Sequence, residues 1–134
     1  MILEDHYTIL RSRVLKYTQG RRLGTPFPRS RYKLITLNAA CEVMDDPQDL
    51  DRFFRLAQEK EVGVIAMKVV VRGALIERGL DMGQLLPYVL SYPVSTAIVG
   101  ITDLAHLEEN VRIASAFEPL SEKEMDEIRA HAQS

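Results

Sequence analysis

A chain of 134 residues with 46% hydrophobic and 27% charged residues has the composition of one globular domain with one core. One cysteine, Cys41, excludes an intramolecular disulfide, and three scattered histidines (His6, His106, His131) give no metal-ligating spacing. The net charge of −2 divides unevenly: residues 1–33 carry +6 and the remainder −8.

Leu3, Tyr7, Leu10, Val14 and Tyr17 recur at helical spacing, so residues 3–17 are expected to form an amphipathic helix. From Thr18 to Ser30, Gly20, Gly24, Pro26 and Pro28 alternate with arginines, which predicts a loop or linker. Residues 1–31 thus read as a basic helix and loop, and residues 32–134 as the main domain. The basic residues lack interleaved aromatics that would stack on bases, so a solvated face is favoured over nucleic-acid binding. The N-terminus has no basic region followed by an apolar stretch, and no apolar run approaches a membrane span, so a cytoplasmic protein with no membrane partner is expected.

Tyr32 to Cys41 contains a partly β-branched apolar run ending at Asn38, the length of a buried strand. Asp46 and Pro47 supply an N-cap and first-turn proline for a helix with Leu50, Phe53, Phe54 and Ala57 on one stripe, running to Lys60. Val62 to Val71 is almost continuously apolar, as in a parallel strand covered on both faces. Residues 72–81 form a glycine-containing connection. Met82, Leu85, Leu86, Val89 and Leu90 then mark a helix before Pro93, and Val94 to Val99 a third strand stopped by Gly100. Thr102 or Asp103 caps a helix with Leu104, Leu107, Val111 and Ala114 on one face. Ser121 and Glu124 form a capping box for a last helix bearing Met125, Ile128 and Ala132. Strands separated by helices predict an α/β fold with a parallel sheet joined by right-handed crossovers.

Val64-Ile-Ala-Met-Lys68, Gly73-Ala-Leu75, Tyr88 to Pro93, Val94 to Gly100, and above all Gly100-Ile-Thr-Asp-Leu-Ala-His-Leu-Glu-Glu-Asn110 trailed by Pro119 to Glu124 follow one another in an order that resembles the aldo-keto reductases. Leu34 to Asn38 resembles, less specifically, the sixth strand of that barrel. The resemblance spans about residues 34–130 and implies a partial TIM-barrel-like sheet, with the later strands as the seventh and eighth.

What the resemblance implies is a site for a nicotinamide nucleotide, NADP, with its phosphate end at the loop Gly100, Ile101, Thr102, Asp103. His106 takes a place facing the adenosine phosphate, Glu109 and Asn110 take those addressing the adenine, and Met67 lies near the nicotinamide. Leu34 stands where the family often has a glutamine, and Gly100 brings no side-chain cation. No catalytic residue is assigned: the family's tyrosine, lysine, aspartate and histidine come from its first four strands, which have no counterpart here. Tyr7, beside Asp5 and His6, reads as a core residue of its helix stripe rather than a substitute acid.

The implied function is that of a truncated, aldo-keto reductase-like oxidoreductase of carbonyl compounds, retaining nucleotide binding without the catalytic half. The alternative is a non-enzymatic oligomerising or partner-binding module, with the basic N-terminal segment meeting an acidic partner. A gene fragment without evolved activity is a third. An open three-stranded sheet needs its edges and barrel-lining face covered, which predicts a homodimer or cover by the N-terminal helix.

Overall fold

The computed structural model describes residues 31–42 and 49–134. The expected helix at 3–17, the loop at 18–30, the Asp46–Pro47 cap and the Asp5-His6-Tyr7 cluster lie outside the described residues. Within them the order is β1 (Tyr32–Thr36), α1 (Leu50–Glu59), β2 (Gly63–Met67), a 3₁₀ turn (Val71–Gly73), α2 (Ala74–Glu77), α3 (Met82–Ser91), β3 (Thr96–Ala97), α4 (Leu104–Ser115) and α5 (Glu122–Ala132). The three strands form one parallel sheet in the order β1-β2-β3, with Leu34 opposite Ile65 and Ile65 opposite Thr96. The fold is therefore α/β with an open parallel sheet and five helices among the described residues.

Residues in register share a face of a sheet, so its two faces can be read from the pairing. Val64 and Ala66 point to one side and are buried, packed with Phe54 and Ala57 of α1 and with Leu85, Tyr88 and Val89 of α3. Tyr32, Leu34, Ile65, Met67 and Thr96 share the other side, where Leu34 is 57% exposed and Ile65 and Met67 are half-buried. This is the side that would line a barrel. It corrects two expectations together: β1 is an edge strand open at its start rather than a buried one, and β2 is fully covered on one face only.

The helix stack is built around α3. Phe54 of α1 stacks on Tyr92 with ring centroids 5.6 Å apart, and Tyr92 meets Tyr88 edge-on, also at 5.6 Å. Aromatic pairs of this kind favour offset or edge geometry because the ring face is negative and its edge positive. The Tyr88 and Tyr92 hydroxyls lie 3.1 Å apart, and Arg129 of α5 donates from Nε to the Tyr88 oxygen at 3.3 Å. Burial, reinforced by the Tyr92 hydrogen bond, pushes the Tyr88 phenol well above its ordinary pKa. The Tyr88 hydroxyl thus links α3 to α5. Ser91 Oγ donates to Pro87 O at 2.8 Å and accepts from Leu120 N at 2.9 Å, fixing the lead-in to α5.

Helix ends follow local chemistry closely. Gly79, at φ 89, ends α2 with its N–H donating to Ile76 O at 2.9 Å, while Leu80 N donates to Leu75 O at 3.1 Å. That pair of bonds is a Schellman closure, and Leu75 and Leu80 are both buried beneath it. Asp81 immediately caps α3 in a box with Gln84, and Ser121 caps α5 in the expected box with Glu124. The expected stripe on α4 is corrected at its start. Leu104 is 67% exposed, and the buried residue of this helix is Ile113.

Candidate functional site at the carboxyl rim of the sheet

The apolar run from Val62 to Val71 leaves the sheet sooner than its composition suggests. After Met67 the chain enters a left-handed conformation at Lys68 (φ 64), turns through Val69 and Val70, and passes two more left-handed residues, Val71 (φ 49) and Arg72 (φ 58), before Gly73 (φ 97). Non-glycine residues pay about 1–2 kcal/mol for this geometry, and for β-branched Val71 it is exceptional. Such a loop persists because its flanks hold it: Val71 N donates to Lys68 O, Gly73 N to Val70 O, and the side chains of Val69, Val71 and Leu75 are buried.

β3 is shorter than the expected 94–99. Ser95 explains part of this: its N–H donates to Val64 O at 2.7 Å and its hydroxyl accepts from Val64 N at 3.1 Å, so a side chain replaces one rung of the ladder. Ile98 N still reaches Ala66 O at 2.7 Å, which carries the chain to the same rim as Met67. The two strand exits leave a cleft of about 290 Å³ lined by Met67, Lys68, Val69, Val70, Arg72, Ile98, Val99 and Gly100. Its position matches where parallel α/β architectures place ligands, at the carboxyl ends of the strands.

Of the residues singled out from sequence, Met67 and Gly100 line this cleft together, and Ile101, 48% exposed, follows at its edge. Thr102, Asp103 and His106 form a self-contained group at the start of α4. Asp103 accepts from His106 N at 2.9 Å as the helix cap, and Thr102 Oγ1 lies 2.9 Å from His106 Nδ1, with the Asp103 carboxylate 3.7 Å from the same nitrogen. One amide donor of the helix start is therefore taken, and the helix's positive end already faces a carboxylate. Further along α4, Glu109 is exposed and Asn110 is partly buried, with its Oδ1 enclosed and without a hydrogen-bond partner.

Two residues that sequence reasoning passed over as site residues supply the charge. Lys68 and Arg72 line the cleft, and among the described residues no acidic one does. Neither side chain has a hydrogen bond or ion pair among the described residues. Basic residues directly after a parallel strand were the available signal, since that position falls on the rim. Among the described residues no group of histidine, cysteine or carboxylate side chains could hold a metal ion, and no helix is long and apolar enough to cross a membrane.

No family model matches the sequence, and no curated protein matches it. Among solved structures, the holo form of the aldo-keto reductase AKR11C1 from Bacillus halodurans is similar with a TM-score of 0.57 at 19% identity, over 91% of this chain and 48% of that one. Its apo form is similar with a TM-score of 0.56 at 18% identity and the same coverage. The chain spans about half the length of the structures it matches. With its open parallel sheet and rim cleft, the chain has the fold of a partial aldo-keto reductase barrel.

Proposed function

We propose that the chain is the nucleotide-binding end of an aldo-keto reductase-like barrel, holding a nicotinamide dinucleotide, NADP, at the carboxyl rim of β2 and β3. The observation that carries this is the meeting of Met67 and Gly100, far apart in sequence, in one cleft at the ligand-binding end of a parallel sheet. The residues fit such a cofactor in part. A cleft of about 290 Å³ accommodates one half of a dinucleotide and leaves the other to extend along α4 past His106 toward Glu109 and Asn110. The enclosed Asn110 Oδ1 costs about 1–3 kcal/mol while unpaired, which a turn of the side chain toward an adenine amino group recovers.

When bound, the nicotinamide supplies hydride chemistry. The residues of this site bind and orient: Met67 offers an apolar surface, and Gly100 permits close approach, since a Cβ there would meet nothing within 4 Å and the strand exit is open. Reduction of a carbonyl compound by this assembly requires an acid from outside the described residues. Fluorescence titration with NADPH tests the reading: saturable binding weakened by Asn110→Ala supports it, and no binding at millimolar cofactor refutes it.

A second reading, an oligomerising scaffold, is favoured by the open barrel-lining face, where Leu34 and Ile98 are 57% and 54% exposed. In that reading a homodimer covers this face. A monomer throughout a sedimentation-equilibrium series up to high micromolar concentration would refute it.

A further inference from the structure

We propose that residues 3–17 of this same chain lie as a helix across the open face of the sheet and close the part barrel into three layers, helix on sheet on helices. The inference is independent of the nucleotide reading and concerns the amino-terminal half of that face. Tyr32 and Gly63 form its lowest row, and Leu34, Ile65 and Thr96 the next, since residues in register share a face. Gly63 has no side chain, and a Cβ there would come within 2.5 Å of Tyr32 Cδ1, so the Tyr32 ring lies over it as an apolar floor. Beyond that floor Leu34 stands 57% exposed. Parallel sheets are found with both faces covered, because their strands carry apolar residues on both sides. Here α1 and α3 bury Val64 and Ala66 on one face, while Leu34 and Ile98 on the other stay more than half exposed.

The rest of the chain points to the occupant. Leu3, Tyr7, Leu10, Val14 and Tyr17 recur along one helical face, an apolar stripe that requires an apolar surface to bury it. As a helix, residues 3–17 measure about 22 Å, against about 17 Å for a strand of 5 residues such as β1, so the stripe and the face agree in length. Residues 18–30 reach at most about 45 Å when extended, enough to bring the stripe back over the strand they lead into. That strand carries Leu34, the most exposed large apolar residue of the face. Leu56 of α1 and Ile76 of α2 are also exposed, but each stands singly and offers no such surface. Opposite net charges, +6 on residues 1–33 and −8 on the remainder, draw the two parts together. A tethered segment also competes at an effective concentration in the millimolar range, so at lower protein concentration it holds the face against a second copy.

The chain contains no tryptophan, so Tyr7→Trp in the full chain gives a single fluorescent reporter inside the stripe. The expected result is blue-shifted emission shielded from acrylamide, unchanged across a dilution series in which sedimentation shows a monomer. Adding Leu34→Asp should remove the blue shift while far-ultraviolet circular dichroism shows the α/β body still folded, and adding Leu56→Asp on α1 should leave it in place. Solvent-exposed emission from Tyr7→Trp would overturn the proposal, as would a blue shift that survives Leu34→Asp. A blue shift that grows with protein concentration, together with the sedimenting mass, would give the face to a second copy and overturn it equally. If Leu34→Asp unfolds the body, Leu34→Ala takes its place: a partial loss of the blue shift is then expected, and no loss overturns the proposal.

Discussion

Replacing Arg72 with glycine should stabilise the fold. Arg72 sits at φ 58 and ψ 27, a left-handed conformation that costs an L-residue about 1–2 kcal/mol and glycine almost nothing. Against that gain, glycine's greater freedom in the unfolded chain costs about 0.5–1 kcal/mol. The Arg72 side chain is exposed and without a hydrogen bond or ion pair among the described residues, so little packing is lost. The net expectation is a gain of roughly 0.5–1 kcal/mol for Arg72→Gly. Arg72→Ala, which keeps the strained backbone, should leave stability almost unchanged. Urea unfolding of the full chain, read as a shift in midpoint at constant slope, measures the difference. A glycine variant no more stable than the alanine variant would refute the claim that this loop stores backbone strain.

Other substitutions probe the scaffold that positions the cleft. Gly79→Ala places a side chain at φ 89 in the closure of α2 and should cost about 1 kcal/mol in the same unfolding assay. Ser91→Ala removes the acceptor for Leu120 N and should cost about 1–2 kcal/mol, with faster amide exchange at Leu120 as the local sign. The Ser121 hydroxyl, followed by its backbone N–H, holds the Glu124 carboxyl below the ordinary glutamate value. A lowered pKa in the folded state means that this contribution is complete above the ordinary glutamate range and is lost as the pH falls through the lowered value. Protection of the α5 amides, corrected for the intrinsic exchange rate at each pH, should therefore fall on acidification, and Ser121→Ala should make that dependence shallower.

How much was legible depended on how local the determining chemistry is. The Ser121–Glu124 box is set by two side chains three residues apart and could be read directly. The equivalent Asp81–Gln84 box was just as readable and was overlooked beside the two glycines near it. The existence and parallel order of the strands followed from apolar runs alternating with helices, and the fold agrees. Their ends did not follow, because a valine that continues a strand and one forced to φ 49 look alike in sequence. Likewise, Leu104 fits the α4 stripe by spacing, but spacing cannot say that no partner faces it, and it lies 67% exposed. At the site, Met67 and Gly100 were found through the resemblance, whereas Lys68 and Arg72 needed the turn that carries them to the rim. Asp103's occupation of the helix start also required coordinates, since a cap residue and an open anion site share the same sequence signature.

The central claim, that the rim between β2 and β3 holds a nicotinamide nucleotide, is tested most directly by amide chemical-shift mapping on the full chain titrated with NADPH. The account predicts saturable shifts concentrated in residues 67–73 and 98–110. Saturable shifts confined to other surfaces, or no shifts at millimolar NADPH, would contradict it.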